Sequence, residues 1–360
     1  MSKPYALILA GGRGTRFWPR SRTRKPKQLL PFVTERSLLE ETIERLRPLI
    51  PPERMWILTN EHLRNEVRRH AREVPARQVL AEPAQRNTAP CLGLAAQLIH
   101  AADPDAVLGV FPADHHIDKP ARYRAFLKPA FQAARAGKLV TIGIQPRWPE
   151  TGYGYLEFPP GSRAGERSAV PLRAFREKPK LAEAKRFLKA GRFYWNAGMF
   201  FWRAGAFLDA LRKYLPRTAA LIASLPPLED PRFASRLKKM YPLCENISVD
   251  FAVMEKAARD GGVAGVATDD IGWNDLGSWS AVYELLPRTP HGNVARTEVL
   301  LHDVEGCYVD SPGKLVALLG VRDLVVVDTP DALLIAHRGR AQEVGKLVKL
   351  LEQERRHQLL

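Results

Sequence analysis

Cysteine is scarce in this chain of 360 residues, with only Cys91, Cys244 and Cys307. Three widely separated thiols form neither a disulfide framework nor a paired-cysteine metal site, which predicts a protein of a reducing compartment. Long apolar runs are also missing, since no stretch approaches the roughly 18 residues that a membrane-spanning helix needs. The opening residues hold too short an apolar stretch for a secretory signal. We therefore expect a cytoplasmic protein with no membrane partner.

Acidic residues are outnumbered by basic ones, 39 against 55, which gives a net charge of +16. Such a protein favours an anionic partner. The densest basic stretch, residues 13–27, has seven basic residues and no acidic one. It is interrupted by Gly, Trp and Pro, and no RNA-binding or zinc-finger motif accompanies it. The pattern favours a small phosphate compound. The alternative is a nucleic-acid binder, which would show a long positive face and steep salt dependence.

Short apolar segments alternate with helical patterns through the first 150 residues. This alternation predicts an α/β fold, a Rossmann-like, mostly parallel sheet flanked by helices. Strand patterns dominate residues 152–204, and helical periodicity returns over residues 206–256. The turn cluster PRTPHGN marks a boundary. We expect one domain over residues 1–287 and a small β-rich domain over residues 288–360, with a terminal helix over residues 341–358.

The stretch LILAGGRGTR carries the clearest chemical signal. An apolar strand runs directly into three glycines with two arginines beside them. Glycines let the backbone N–H groups approach a phosphate, and arginine adds charged donors. A dinucleotide fingerprint would need glycine at Phe17, and a P-loop would need Lys followed by Ser or Thr, so both motifs are excluded. The alternative is a tight turn with incidental basic neighbours.

Followed by KPKQLLPF, the stretch LAGGRGTRFWPRSR resembles the signature of the sugar-1-phosphate nucleotidyltransferases. More narrowly, it is similar to the mannose-1-phosphate guanylyltransferases. The resemblance continues in family order, over roughly residues 5–337, through AEPAQRNTAP, FPADHHI, PETGYGYLEF, FREKP, WNAGMFFW, SVDFAVMEK, WNDLGSW and VRDLVVVDTPDALLIA. It implies a nucleotidyltransferase fold whose C-terminal region is a short left-handed β-helix, although no six-residue repeat is visible there. The implied reaction transfers GMP from GTP to α-D-mannose 1-phosphate and gives GDP-mannose and pyrophosphate.

The resemblance also implies the residues of the site. Those implied for catalysis are Arg16, Lys27 and Asp114. Those implied to bind the nucleotide are Leu9, Ala10, Gly11, Gly12, Gly14, Thr15, Glu82, Arg86 and Asn87. Those implied to bind the sugar phosphate are Gly152, Tyr153, Gly154, Glu177, Lys178 and Asn196. The implied cofactor is Mg²⁺, with Asp114 and Asp275 as its ligands, because this ion accepts a few carboxylates beside phosphate oxygens and water.

Taken without the resemblance, several of these residues have simpler interpretations. Asp275 would be a turn residue or the N-cap of the next helix, and Asn87 opens a helix as its N-cap. Glu177 and Lys178 would form a surface ion pair. His115 and His116 beside Asp114 suggest a histidine metal site only weakly, since no third ligand is visible, and a surface or helix-start position is the simpler one.

Other activities remain open at this point. The sugar could be glucose or N-acetylglucosamine, and the nucleotide UTP, dTTP or ATP. A noncatalytic relative that only binds sugar nucleotides is a further alternative, but it would be expected to lack a metal aspartate or a phosphate lysine. Both types of residue are present here. Two departures from the family pattern are Ala113, where Ser is frequent, and Phe17, a change of bulk. We expect a single activity, a homodimer, and an assembly or packing role for the C-terminal region.

Overall fold

The computed structural model describes residues 3–360. Its strands are β1 (Tyr5–Leu9), β2 (Met55–Asn60), β3 (Val79–Glu82), β4 (Val107–Pro112), β5 (His116–Ile117), β6 (Leu139–Ile144), β7 (Tyr155–Glu157), β8 (Val170–Pro171), β9 (Ala174–Arg176), β10 (Phe193–Arg203), β11 (Val263–Ala267), β12 (Trp273–Asn274), β13 (Val294–Ala295), β14 (Val299–His302), β15 (Tyr308–Asp310), β16 (Val316–Leu319), β17 (Leu324–Thr329) and β18 (Ala332–His337). Its α-helices are α1 (Leu38–Leu46), α2 (Arg64–His70), α3 (Thr88–Ala102), α4 (Pro120–Arg135), α5 (Leu181–Ala190), α6 (Ala204–Tyr214), α7 (Pro216–Ala223), α8 (Phe233–Met240), α9 (Glu255–Arg259), α10 (Trp279–Leu285) and α11 (Val344–Gln353).

The chain divides into two compact units. Unit 1 comprises residues 1–11, 42–112 and 117–273, and unit 2 comprises residues 12–41, 113–116 and 274–360. The second unit therefore combines the C-terminal region with two short segments from the first third of the chain. The domain boundary that we predict at residue 287 follows the order of the sequence, whereas these units follow packing.

Unit 1 is built on a mostly parallel sheet with strand order β3-β2-β1-β4-β10-β6-β11-β8. The strands β3, β2, β1 and β4 run parallel, as do β6 and β11, whereas β10 lies antiparallel between β4 and β6. Every residue of β6 and the first five residues of β4 are buried. Such nearly continuous apolar strands are typical of a sheet covered on both faces, so the predicted α/β class is confirmed.

Unit 2 contains a small domain of stacked parallel strands. The strands β13, β15 and β17 pair in parallel in one sheet, while β14 and β16 pair in parallel in another. Because consecutive strands alternate between the two sheets, the chain winds as a β-helix. The antiparallel strand β18 closes the first sheet against β17. The predicted β-rich C-terminal domain is confirmed.

The terminal helix is shorter than the sequence pattern predicts. Residues 341–358 are expected to be helical, but α11 is confined to Val344–Gln353 and is followed by a separate one-turn 3-10 helix at His357–Leu359. Arg355 takes a left-handed conformation with φ of 56°. This conformation cannot continue a right-handed helix, which is why the apolar periodicity overruns the real end.

No helix within residues 3–360 is both long enough and apolar enough to cross a bilayer.

Candidate functional site

Lys27 connects the two predicted metal aspartates in unit 2. It begins a one-turn 3-10 helix, and only 6% of the residue is exposed. Its Nζ donates to the carboxylate Oδ2 of Asp114 at 2.9 Å and to the backbone carbonyl of Asp275 at 2.5 Å. Asp114 follows the end of β4 by two residues, and Asp275 follows β12 directly. The ammonium group of Lys27 thus contacts two residues that lie 87 and 248 positions away in the sequence.

The carboxylate of Asp114 is ionised at neutral pH. Partial burial raises its pKa, but the positive charge of Lys27, the neighbouring His115 and the hydrogen bond from Lys27 together outweigh burial, so the pKa lies below its usual value. About a third of this side chain, 36%, is exposed. An accessible carboxylate that stays charged is suited to a divalent cation.

Glycine is required at position 14 because Lys27 packs against it. Gly14 has φ of 63°, and a Cβ there would overlap the Cβ of Lys27. The carbonyl of Gly14 also accepts hydrogen bonds from the hydroxyl of Ser21 at 2.7 Å and the backbone N–H of Phe17 at 3.0 Å. The glycine-rich stretch and the segment that carries Lys27 therefore pack directly against each other.

Arg16 and Gly12 belong to the same part of unit 2. The guanidinium of Arg16 donates to the carbonyl of Gly277 at 3.3 Å, two residues after Asp275. The side chain of Gln28 donates to the carbonyl of Gly12 at 3.1 Å. A Cβ added to Gly12 would meet nothing within 4 Å, so the space beside this backbone is open. Thr15 begins the 3-10 helix Thr15–Phe17.

Most of the basic stretch 13–27 is paired with acidic residues of unit 2. The pairs are Arg13–Glu352, Arg20–Asp310, Arg22–Asp331 and Lys27–Asp114. Four of the seven positive charges are thus offset locally. This pairing was not visible in the sequence, because three of the acidic partners lie about 290 or more positions away.

The predicted nucleoside residues lie in unit 1, where parallel strands on either side of β2 end. Leu9 ends β1, and Glu82 ends β3. The carbonyls that follow β1 are fixed by side chains of β2, since Thr59 donates to Ala10 at 3.1 Å and Asn60 donates to Gly11 at 2.9 Å. Ligands of open parallel sheets bind at this carboxyl edge.

Glu82 is already engaged within the protein. Only 8% of it is exposed, and the hydroxyl of Tyr241 donates to its Oε2 at 2.5 Å. Burial raises the pKa of Glu82, while the hydrogen bonds from Tyr241 and Cys91 lower it by less. The guanidinium of Arg86 likewise donates to the carbonyl of Pro242. These two side chains shape the wall of the sheet edge through contacts with the segment near residue 241.

Asn87 is the N-cap of α3, as its position before Thr88 predicts. Its side-chain oxygen accepts from the backbone N–H of Thr88 at 2.9 Å, and its own φ is 63°. The hydroxyl of Thr88 accepts from the backbone N–H of Val249 at 2.9 Å. The backbone N–H of Ala89 donates to the carbonyl of Ile247 at 3.2 Å. The N-terminus of α3 is therefore held in a fixed orientation at the same edge of the sheet.

The predicted sugar residues also meet in unit 1. The backbone N–H of Asn196 donates to the carbonyl of Gly154 at 2.8 Å, and a Cβ on Gly154 would lie 2.5 Å from Oε2 of Glu177. Lys178 has φ of 46°, and its Nζ lies 3.4 Å from Oε1 of Glu177. Tyr153 packs edge-on against Trp195. A side chain at Gly154 would therefore displace the carboxylate of Glu177.

The first glycine of that motif is held by an acidic residue. The carboxylate of Glu150 accepts the backbone N–H groups of Thr151 at 2.9 Å and Gly152 at 2.8 Å. Sequence analysis did not select Glu150. A carboxylate directly before a glycine-rich turn is the signal that was available.

Glu177 is poised to change charge near neutral pH. Burial raises its pKa, the negative charge of Asp250 raises it further, and Lys178 only partly offsets both, so that the pKa reaches about 7. Its side chain is 8% exposed, and its Oε2 is buried without a hydrogen-bond partner among the described residues. Such an oxygen is a ready acceptor for a ligand hydroxyl.

Asp250 is a further member of this group that sequence analysis missed. It begins a π-helical turn, and its Oδ1 accepts from Nδ2 of Asn196 at 2.9 Å. Burial raises the pKa of Asp250, against hydrogen bonds from its own backbone N–H and from Asn196. Asp250 lies inside the block SVDFAVMEK, but the apolar helical periodicity around it indicated a buried helix and not a binding residue.

The simpler interpretations of Asp275 and His116 need correction. Asp275 is not the N-cap of α10, which is Ser278; it lies in the connection between β12 and α10, so only the N-cap alternative is wrong. His116 is neither a surface nor a helix-start residue, because it lies buried in β5 with its Nδ1 3.4 Å from the carboxylate of Glu41. Within residues 3–360 no cluster of three or more His, Cys, Asp or Glu side chains is arranged to hold a metal by itself. The accessible carboxylate of Asp114, with Asp275 held at the same ammonium through its backbone carbonyl, instead fits a cation that takes its remaining ligands from substrate phosphates and water.

Comparison with known proteins decides the family. Residues 5–291 match the family model described as nucleotidyl transferase. The chain belongs to the nucleotidyltransferase family. Residues 297–351 of this nucleotidyltransferase match a second model, described as a MannoseP isomerase/GMP-like beta-helix domain. The β-helix winding of unit 2 agrees with that description.

Individual relatives are similar in sequence to nearly the whole of this nucleotidyltransferase chain. A mannose-1-phosphate guanylyltransferase of Escherichia coli K12 is 40% identical over 365 residues, covering 99% of this chain and 75% of the relative. The alginate biosynthesis protein AlgA of Pseudomonas aeruginosa is 36% identical, covering 97% and 72%. A crystal structure from Thermus thermophilus, described as a mannose-1-phosphate geranyltransferase, superposes with a TM-score of 0.85 at 34% identity, covering 98% of this chain and 100% of that one.

Proposed function

We propose that this nucleotidyltransferase transfers GMP from GTP to α-D-mannose 1-phosphate, giving GDP-mannose and pyrophosphate. The observation that carries the proposal is the ammonium of Lys27 between the Asp114 carboxylate and the Asp275 carbonyl, in a chain whose relatives at 36–40% identity include mannose-1-phosphate guanylyltransferases. Both substrates are phosphate anions, which is the ligand class that the charge of the chain favours.

The reaction needs no general base. The phosphate of the sugar is mostly dianionic at neutral pH, because its second pKa is about 6. One of its oxygens attacks the α-phosphorus of GTP and forms the new P–O bond. The bond from that phosphorus to the oxygen bridging to the β-phosphate breaks in line, and pyrophosphate leaves with the electron pair. Catalysis therefore consists of alignment and charge neutralisation.

In this mechanism Arg16 and Lys27 hold the transferring and leaving phosphates. The open backbone at Gly12 and the turn at Gly14 and Thr15 admit the triphosphate. We propose that the reaction uses a divalent ion, Mg²⁺, with Asp114 and Asp275 as its protein ligands. When bound, Mg²⁺ neutralises the negative charge that develops on the phosphate oxygens.

The unit 1 residues serve recognition. The loop at Leu9, Ala10 and Gly11 and the α3 N-terminus, with Glu82, Arg86 and Asn87 behind it, receive the nucleoside. Glu177 accepts hydrogen bonds from sugar hydroxyls, and the side-chain amide of Asn196 donates to them. The backbone of Gly152, Tyr153 and Gly154 lies beside these groups. Lys178, whose side chain is 58% exposed, binds the sugar phosphate.

A substrate panel tests the proposal. The purified protein is offered mannose, glucose and N-acetylglucosamine 1-phosphates in all pairings with GTP, ATP, UTP and dTTP, with Mg²⁺, and pyrophosphate release is recorded for each pair. We expect the highest kcat/KM for mannose 1-phosphate with GTP. A higher value for another pair would replace the substrate assignment, and binding of sugar nucleotide without release from any pair would favour a noncatalytic relative.

Assembly, location and nucleic-acid binding are proposed as well. We infer a cytoplasmic location, since Cys91, Cys244 and Cys307 are all free thiols in the interior. We propose a homodimer as well. Light scattering after gel filtration measures the mass directly, and a value near 40.4 kDa would exclude the dimer. The local pairing of the basic stretch argues against a nucleic-acid partner. Absence of a gel shift with duplex or single-stranded probes at low salt is the expected outcome.

A further inference from the structure

The segment 12–41, which carries Arg16 and Lys27, shares one hydrophobic core with the C-terminal region inside unit 2. The rings of Phe17 and Phe32 lie 4.6 Å apart, and both contact the ring of Trp279, at 5.2 and 5.9 Å. Trp279 in turn lies 5.6 Å from Tyr308 of β15. The sequence suggests only a change of bulk at Phe17, whereas the structure places it at the centre of an aromatic cluster.

Buried indole groups fix the backbone of the same segment at Trp18. The Nε1 of Trp18 donates to the carbonyl of Leu359 at 2.9 Å, and the Nε1 of Trp279 donates to the carbonyl of Trp18 at 3.2 Å. Arg22 also donates to the carbonyl of Leu359. A buried N–H that loses its acceptor is destabilising, so these bonds specify a single position for the turn.

A charged fork adds a third attachment. Arg20 donates through Nε and Nη2 to the two carboxylate oxygens of Asp310, the last residue of β15. The side chain of Asp310 is 8% exposed and that of Arg20 is 31% exposed. Two parallel charge-assisted bonds fix orientation as well as distance. Arg20 stands four positions after Arg16 and seven before Lys27, so this fork holds the turn between the two predicted phosphate ligands.

We propose that Asp310 and Trp279, together with the turn at residues 357–359, are positioning elements for the phosphate-binding residues. In this proposal, which rests on the proposed function, the β-helix domain keeps residues 12–29 where Lys27 meets both Asp114 and Asp275. The C-terminal domain thus acts on the transfer step through the geometry of the loop. Displacements of about 1 Å in a catalytic group reduce rates by as much as 10²-fold, so a modest loosening is measurable.

The first test compares two ion pairs of the same kind. Asp310→Asn weakens the fork to Arg20 without touching Arg20 itself. Asp323→Asn is the control, because Asp323 pairs with Arg338 inside the C-terminal region. The two arginines are similarly exposed, at 31% and 27%, while the Asp323 side chain is more exposed than that of Asp310, at 44% against 8%. We expect Asp310→Asn to lower kcat roughly tenfold, with KM for both substrates changed less than about threefold, and Asp310→Glu to restore part of kcat. We expect kcat of Asp323→Asn to stay within about twofold of the wild-type value.

Hydrogen exchange on the substrate-free protein supplies a readout independent of turnover. We expect Asp310→Asn to speed amide exchange in residues 12–29, whereas Asp323→Asn leaves these amides unchanged. Trp18→Phe keeps an aromatic ring, of smaller size, but removes the bond to Leu359. It should speed exchange in the same residues, and it serves as the test variant if Asp310→Asn folds poorly. Unchanged exchange in residues 12–29 and unchanged kcat per folded molecule, despite a lower melting temperature, would assign these residues to stability alone and overturn the proposal.

The two proposals fail in different ways. If the wild type releases pyrophosphate from no substrate pair, the proposed function fails, while exchange in residues 12–29 still reports whether the C-terminal region holds the loop. If the wild type is active and the Asp310 and Trp18 variants match it in both measurements, the positioning role fails and the function stands.

Discussion

At the scale of single residues, charge compensation around Lys27 explains how a buried lysine can serve phosphate chemistry. An isolated buried ammonium would be costly, but the carboxylate of Asp114 and the carbonyl of Asp275 satisfy it. The same contacts lower the pKa of Asp114, against the effect of burial. In the proposed mechanism, the residue that holds the phosphates therefore also keeps the proposed metal ligand ionised.

Asp114→Asn tests this arrangement. The amide keeps the shape and one acceptor oxygen for Lys27 but removes the negative charge that a divalent cation needs. We expect kcat to fall about 10²–10³-fold, with a fold that is unchanged by circular dichroism. Asp105→Asn, at an exposed pair with Arg203, is the control and should be neutral. Near-normal turnover with Asn at position 114 would remove this residue from the metal site.

Glu177 predicts a pH dependence of both stability and sugar binding. Its pKa is about 7 in the folded protein against a usual value of 4.5. Between these values the folded protein retains a proton that the unfolded chain has released, so folding takes up a proton and stability falls as pH rises through 7. Above pH 7 the loss approaches roughly 3 kcal/mol. Glu177→Gln does not titrate and should become progressively more stable than the wild type from pH 5 to pH 8.

The sugar site should follow the same titration. Only the ionised carboxylate accepts hydroxyl hydrogen bonds with both oxygens, so KM for the sugar phosphate should fall as pH rises through 7 in the wild type. The sugar phosphate itself titrates near pH 6, and comparison with Glu177→Gln isolates the contribution of the protein. Parallel pH profiles for the two proteins, in stability and in KM, would show that Glu177 does not carry this titration.

The roles of single residues were predictable from sequence where the residue stands in a recognisable motif. They were not predictable where the role depends on a contact with a residue far away in the sequence. Lys27, Asp114 and Asp275 stood in recognisable blocks, and the structure brings them together. Asp250 and Tyr241 touch predicted residues, but neither has a local pattern that separates it from its helical surroundings. Only the fold shows that Asp250 meets Asn196 and that Tyr241 meets Glu82.

At the scale of elements, the glycine-rich turn depends on backbone freedom as well as on space. Gly14 and Gly313 both have positive φ, 63° and 86°, but a Cβ at Gly313 would meet nothing within 4 Å. Substitution by Ala at either position costs about 1–2 kcal/mol of backbone strain. At Gly14 the overlap with Lys27 adds to this cost and displaces the lysine.

Gly14→Ala and Gly313→Ala therefore form a matched pair. We expect Gly14→Ala to lower kcat more than roughly tenfold and to reduce the melting temperature, whereas Gly313→Ala lowers only the melting temperature. Turnover and melting are measured on both purified variants. Equal kcat in the two would mean that the packing of Lys27 against Gly14 is irrelevant to turnover.

Local patterns predicted elements well where burial was uniform. The strands β1, β4 and β6 are nearly all apolar, and α3 runs from Thr88 to Ala102 much as its Ala and Leu content predicts. The antiparallel orientation of β10 between β4 and β6 was not predictable, because a long, mostly apolar strand has the same pattern whether it runs parallel or antiparallel to its neighbours. The inclusion of residues 12–41 in unit 2 depends on contacts across some 260–340 positions, which no local pattern carries.

At the scale of the whole molecule, net charge remains after local pairing is counted. The pairs within unit 2 join equal numbers of positive and negative groups, so they leave the total at +16. Both proposed substrates are polyanions. A field of this sign raises their local concentration and their association rates, and its reach shrinks as the Debye length falls from about 10 Å at 0.1 M salt.

Ionic strength should therefore act on substrate capture more than on transfer. Raising KCl from roughly 0.05 M to 0.3 M is expected to raise KM for GTP and for mannose 1-phosphate several-fold. We expect kcat to change less than about twofold, because Lys27 is buried and its ion pair with Asp114 is poorly screened. Potassium acetate at the same ionic strength distinguishes screening from specific chloride binding. A fall in kcat at constant KM would mean that salt acts on the ion pairs that hold residues 12–29, and the Asp310→Asn variant would then lose its sensitivity to salt.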